Sequence, residues 1–169
     1  MTGEDRSSHG VKLRPATAGD EEVLLEIYAS TRADELAVTN WGAPERDAFL
    51  RMQFAAQRDY YRTQYPHGDH RLILADDQPV GRLYTAENED EIRILDITVL
   101  PGLRGAGIGT PLINDLLSRA KGVGKPVRIY VETFNRSRRL FERLGFRVIE
   151  EDGMNVLLEY RPTSDHNLP

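Results

Sequence analysis

Cysteine is absent from all 169 residues. Disulfides, a thiolate zinc site and a cysteine nucleophile are excluded with it. Histidine is scarce. His9, His67, His70 and His166 are scattered without His-x-x-x-His spacing, so no metal is expected. Long apolar runs are also missing; none approaches the roughly 20 residues that cross a bilayer. The opening MTGEDRSSHG is polar and has no signal-peptide core. Basic residues are in the minority, with 22 Lys and Arg against 27 Asp and Glu and a formal charge of −5. General nucleic-acid binding, which needs a basic face, is therefore not expected. The expectation is a soluble cytoplasmic protein with neither nucleic acid nor membrane as partner.

What is present reads as one domain. Residues 1–10 and 162–169 have no apolar pattern and are expected to be flexible tails around a domain at 11–161. VKLRP alternates as a short strand. Thr17 stands three residues before Asp20, a helix-start pattern, and Val23, Leu24, Ile27 and Tyr28 then recur at helical spacing from about Ala18 past Ser30. A second helix is expected from Pro44 to about Gln64. It carries two stripes, Phe49, Met52, Ala56, Tyr60 and Leu50, Phe54, Tyr61, and should be apolar over a broad face. Between these helices, ASTRADELAVTNW is polar enough for a mobile loop or irregular helix. RLILA and PVGRLYT flank a tight turn at Asp76-Asp77-Gln78, and EIRILDITVL follows as the third strand of an antiparallel meander. A helix with Leu112, Ile113, Leu116, Leu117 and Ala120, the strand PVRIYVE, a helix over Ser137–Leu144 and the strands FRVIEE and NVLLEYR complete the chain. The order β-α-α-β-β-β-α-β-α-β-β defines an α/β domain with a mixed central sheet.

The stretch LRGAGIGTP lies between the third of those strands and a helix. Free N–H groups and the positive end of the helix dipole make such a turn an anion cradle, and glycine lets a ligand approach the backbone. The plain alternative is a turn that only joins strand to helix. A P-loop would need a lysine after the last glycine, and a dinucleotide fingerprint needs Gly-x-Gly-x-x-Gly; neither matches.

ITVLPGLRGAGIGTPLINDLL resembles the acyl-CoA signature of the GNAT superfamily of N-acetyltransferases through Val99, Pro101, Arg104, Gly105, Gly107, Ile108 and Gly109. NRSRRLFERLGF resembles a second segment of that superfamily through Asn135, Ser137, Leu140, Gly145 and Phe146. LRPATAGD resembles the usual start, so the likeness extends from Val11 to Arg161. It implies a single-domain GNAT-like fold and acetyl transfer from acetyl-CoA to a primary amine of a small molecule or peptide, by direct attack and without a metal. It also implies that the strand before the loop splays from its neighbour. Ile97, Thr98 and Val99 would then line the acyl and pantetheine end. The N–H groups of Arg104, Gly105, Ala106, Gly107, Ile108, Gly109 and Thr110 would cradle the pyrophosphate, and Asn135 would contact the pantetheine or cofactor. A homodimer is suggested by the same likeness.

The catalytic groups are less marked. The helix position usually held by tyrosine is Phe141, which cannot donate a proton. Tyr84 and Tyr130 are alternatives, each also readable as an ordinary strand residue. Asp96 interrupts ILDITVL and is a candidate base; the alternative is a partner for Arg93 or Arg128, or a solvent-facing acid. Glu132 is a second candidate, and Glu91 lies further from the expected thioester. Arg136, Arg138, Arg139, Arg143 and Arg147 either meet the CoA 3′-phosphate or form a solvated face. The acidic turn over Glu87, Glu89, Asp90 and Glu91 either attracts an amine or is a solvated tip. The resemblance also places Glu35, Trp41 and Tyr65 near the acceptor, although Trp41 and the tyrosines read equally as core or dimer contacts. Pro111 should tighten the first turn of its helix without loss of phosphate binding. Two other functions stay open: an acyl-CoA-binding module without catalysis, motivated by Phe141, and a nucleotide-binding protein.

Overall fold

The computed structural model describes residues 10–163. Residues 1–9 and 164–169, with His9, His166 and most of both expected tails, lie outside the described residues. The elements are β1 (Val11–Pro15), α1 (Glu21–Ala37), α2 (Ala43–Gln64), β2 (Asp69–Ala75), β3 (Gln78–Glu87), β4 (Ile92–Val99), α3 (Gly109–Val123), β5 (Val127–Glu132), α4 (Ser137–Arg143), β6 (Arg147–Glu151) and β7 (Asn155–Tyr160). Short 3-10 turns stand at Ala18–Asp20 and Pro101–Leu103. This is the expected α/β order. The seven strands pair in the order β1-β2-β3-β4-β5-β7-β6. The sheet is mixed: β4 and β5 run parallel, whereas β1–β2, β5–β7 and β6–β7 are antiparallel. The residues group into two compact units, one of the chain up to Tyr84 with Asp96–Ile108, the other of Thr85–Leu95 with the chain from Gly109.

In the first unit, the Thr17 and Asp20 pattern caps the 3-10 turn Ala18–Asp20, and α1 follows it from Glu21. The Thr17 N–H donates to the Asp20 carboxylate (2.7 Å), which also receives two hydrogen bonds from Arg14 (2.9 and 3.0 Å). Leu24, Leu25, Ile27 and Tyr28 of α1 pack with Phe54 and Leu72 as the core. The helix continues to Ala37, so ASTRADELAVTNW, expected as a mobile loop or irregular helix, is mostly helical. The Ser30 and Thr31 hydroxyls donate back to the carbonyls of Ile27 and Tyr28 (2.7 and 2.6 Å), and Arg32 pairs with Glu35 (3.0 Å).

The broad apolar face expected of α2 narrows to one stripe. Phe54 is buried, but Met52 and Tyr60 remain 62% and 58% exposed, because the core meets this helix from one side. Between β2 and β3, Asp76 and Asp77 both take positive φ (50° and 62°), the backbone of a two-residue hairpin turn whose twist matches its strands. Gly81 is obligatory for packing: a Cβ there would lie 2.1 Å from the Thr98 carbonyl oxygen.

In the second unit, Ile92–Ile94 of β4 register with Val127–Ile129 of β5, and β5 pairs along its length with β7. Leu112, Ile113, Leu117 and Ala120 of α3 form its buried stripe. Helix α4 ends in a Schellman cap: Phe146 N–H donates to the Phe141 carbonyl (3.0 Å), Gly145 N–H to that of Glu142 (3.1 Å), and Gly145 has φ 99°. The hydrophobic contact that completes this cap is Phe141 on Phe146, with centroids 5.1 Å apart. Phe141 is 1% exposed, so its ring is core.

Candidate active site

The first unit gathers Tyr84, Asp96 and Thr98 around a residue the motifs did not single out, Arg82. Strand alternation puts Arg82 and Tyr84 on one face of β3, and Asp96 and Thr98 on one face of β4. Arg82 is 3% exposed. Its Nε donates to Asp96, and its Nη2 donates to Gln57 Oε1 of α2 (2.6 Å). The Thr98 hydroxyl donates to the same Asp96 carboxylate (2.9 Å). Asp96 is thus paired, but not with Arg93 or Arg128, the two arginines proposed as its partners. Those face Glu91 instead, at 2.9 and 3.4 Å. The signal for Arg82 was present in PVGRLYT, where it is the one charge sharing a strand face with Val80 and Tyr84.

Tyr84 stacks flat on His70, with centroids 4.2 Å apart and planes 8° apart, and Tyr61 meets it edge-on at 5.3 Å. Burial pushes Tyr61 up to about 12 and raises Tyr84, so both hydroxyls keep their protons at neutral pH. His70 moves the other way: burial, and then the Arg82 charge, lower it to about 4. A cavity of about 140 Å³ opens beside these rings.

The glycine loop follows. Leu100 N–H donates to the Val80 carbonyl (2.8 Å), and Arg104 Nε donates to the Val99 carbonyl (3.1 Å), which ties the loop back to its strand. The N–H groups of Arg104 and Ala106 close turns on the Pro101 and Leu103 carbonyls at 3.3 and 3.2 Å. Gly105 and Gly107 have φ of 82° and 76°. A Cβ at Gly105, Gly107 or Gly109 would meet nothing within 4 Å. The space over these glycines therefore fits a ligand that needs the backbone bare. Pro111 lies in the first turn of α3, where its missing donor breaks no helical bond.

The second unit holds Glu132 and Asn135. Glu132 ends β5, exposed, in register with Asn155 of β7. The Asn135 side-chain Oδ1 accepts the Ser137 N–H (2.9 Å), giving this asparagine a local role in starting α4. Tyr130 is exposed beneath the Arg93 guanidinium, 5.0 Å from its centroid. Of the basic segment, Arg138 is engaged, by Glu142 at 3.0 Å and Glu151 at 4.0 Å. In the acidic turn, Glu87 pairs with Arg119 (2.7 Å) and Lys125 (3.7 Å), so both Glu87 and Glu91 already have cationic partners. Of the residues expected near an acceptor, Glu35 is held by Arg32, Trp41 lies edge-on to Phe49 at 5.1 Å, and Tyr65 caps the end of α2. Among the described residues, no group of three or more metal-binding side chains could hold a metal ion, and no helix is long and apolar enough to cross a membrane.

A strand, a bare glycine loop and a helix start together form an anion cradle. The model of the acetyltransferase (GNAT) family matches residues 31–146, and the chain belongs to that family. Glucosamine 6-phosphate N-acetyltransferase of Trypanosoma brucei brucei is 42% identical over 86 residues, 43% of this chain and 56% of that protein. The match therefore takes in little more than half the length of that relative. The PaiA N-acetyltransferase of Thermoplasma acidophilum, solved with coenzyme A, has the same fold, with a TM-score of 0.68 at 17% identity over 89% of this chain and 98% of that one. An Elizabethkingia anophelis GNAT acetyltransferase, solved with acetyl-CoA, gives 0.58 at 18% identity over 91% and 99%.

Proposed function

We propose that this protein transfers the acetyl group of acetyl-CoA to a primary amine of a small molecule or peptide by direct attack, in the cytoplasm. The observation that carries this reading is the open space over Gly105, Gly107 and Gly109. Neither packing nor, at Gly109, backbone conformation calls for glycine there, whereas a phosphate drawn against the backbone does. In this reading the N–H groups of Gly105, Gly107, Ile108, Gly109 and Thr110 hold the pyrophosphate, those of Arg104 and Ala106 being taken by the loop's own turns, while Ile97, Thr98 and Val99 line the acyl and pantetheine arm and Asn135 contacts that arm.

The acceptor enters as an ammonium ion and first loses one proton to a base. Asp96, fixed by Arg82 and Thr98, takes that role directly or through a water. Glu132 is the second candidate. The amine nitrogen then forms a bond to the thioester carbonyl carbon, and a backbone N–H near Ile97–Val99 stabilises the oxyanion. Collapse breaks the C–S bond, and the second proton lost by nitrogen goes to the departing thiolate. Amide, CoA thiol and one proton leave. Tyr84 keeps its proton at neutral pH, as a donor to the departing thiolate must, so in this reading it is the candidate relay for that second proton.

Calorimetry with acetyl-CoA, CoA and a nicotinamide dinucleotide tests the donor, and CoA release over an amine panel tests the reaction. Binding of CoA species and acceptor-dependent release are expected; no CoA binding overturns the reading. Gly107→Glu should abolish binding while the protein remains folded. The buried Phe141 favours one second reading, an acyl-CoA-binding module. Tight binding with no release for any amine would establish it. Homodimerisation belongs to the same family analogy, and sedimentation tests it.

A further inference from the structure

Basic side chains outnumber acidic ones among the residues that line the cavity of the first unit. Arg58, Arg62, Arg82 and His70 line it, with Glu21 the one carboxylate among the lining residues. Glu21 serves two guanidinium groups, Arg58 at 3.3 Å and Arg62 at 3.8 Å, and Arg58 also pairs with Asp59, outside the lining, at 3.2 Å. Arg82 presents one side of its guanidinium to Asp96 and the other to Gln57. His70 also has a buried ring nitrogen, Nε2, with no hydrogen-bond partner among the described residues. Burying an imidazole nitrogen without a partner is unfavourable, and an incoming ligand atom would relieve it.

An ammonium group placed here would face three cations. An oxyanion would meet forked N–H donors that match its geometry and charge. Arg82 also connects this cavity to Asp96, the proposed base. An anion held by Arg82 in this cavity therefore lies one side chain away from Asp96. We infer that the acceptor amine carries an oxyanionic group, phosphate or carboxylate, which this arginine-lined cavity binds. The inference rests on the acetyl-transfer reading above.

His70 reports on the site. The groups that set its charge are Arg82, Arg62, Asp96 and Asp20, with the Tyr84 ring stacked on it. Burial and the arginines keep it neutral, and a bound anion would reverse that bias.

Two measurements test the inference. The first compares acceptors in matched pairs: phosphorylated amino compounds against their unphosphorylated parents, and amino acids against their amides. A preference of at least about tenfold in kcat/KM for one anionic member is expected, and the arm that shows it identifies the group. Equal rates for charged and uncharged members overturn the inference while leaving acetyl transfer intact. The second follows the His70 imidazole by NMR in the full chain, with inorganic phosphate and acetate as probes. Saturable shifts and a raised titration midpoint are expected from at least one probe, weakened about tenfold by Arg62→Ala. Arg62→Lys, which keeps the charge but not the fork, should fall between. Shifts that do not saturate, or that ignore Arg62, overturn the inference. A protein that binds no acetyl-CoA overturns the acetyl-transfer reading and the acceptor assignment with it.

Discussion

Gly81 and Gly109 lack the same atom for different reasons. At Gly81 an added methyl group would overlap the Thr98 carbonyl oxygen at 2.1 Å, so Gly81→Ala should cost about 1–3 kcal/mol in thermal unfolding. At Gly109 it would point into open space at the start of α3. Gly109→Ala should leave stability unchanged or raise it by about 0.5–1 kcal/mol, since alanine is the better helix former. Acetyl-CoA affinity should nonetheless fall at least about tenfold by calorimetry. Unchanged affinity would remove Gly109 from the cradle. His70 supplies a pH prediction. Its native value of about 4 lies below the ordinary histidine value of about 6.5. Between these, the unfolded chain binds a proton that the native state does not, so stability should fall as pH drops through that window. Denaturant titrations should show His70→Phe flattening this part of the curve. Asp20, held far below the carboxylate range by Arg14 and the Thr17 N–H, acts further down: its contribution is complete above that range and is lost only at stronger acid.

β4 is the element on which the chemistry turns. Removing Asp96 alone strands a buried arginine, so Asp96→Asn should lose about 3–5 kcal/mol and tell little about catalysis. Arg82→Met with Asp96→Asn removes both charges and should recover most of that stability. If Asp96 is the base, kcat at saturating acceptor stays down by about 10²–10⁴ in the double variant. If Asp96 only pairs, kcat returns with the fold. Pattern reading was strong where one rule decides an element. The Thr17-Asp20 helix start, the Asp76-Asp77 hairpin and the end of α4 at Gly145 all stand close to where spacing and turn chemistry put them. It failed where the answer lay across the sheet. Alternation gives the face of Asp96 but not its neighbour, which β3–β4 pairing decides, so Arg82 displaced Arg93 and Arg128. It failed again on α2, whose two apolar stripes look alike in sequence although only one meets the core. The cradle was visible as a motif. The cavity was not, because Arg58, Arg62, His70 and Arg82 come from three elements with no shared spacing.

At the scale of the whole molecule, an acidic chain concentrates guanidinium groups around one small cavity, so selection among acceptors should depend on local rather than net charge. Raising ionic strength should weaken anionic acceptors more than uncharged ones, visible in KM rather than kcat. The passage of the chain between its two units, after Tyr84, Leu95 and Ile108, also bears on synthesis. The ribosome makes Arg82 well before its carboxylate partner. A nascent chain that ends at Tyr84 has α1, α2 and a strand whose inward arginine has nothing to neutralise it, so it should be a poor folder and a good client for chaperones. Only when Asp96 and the loop through Ile108 emerge can that unit close. Its first stable form during translation should therefore appear late, as a step in protease resistance after the glycine loop clears the exit tunnel.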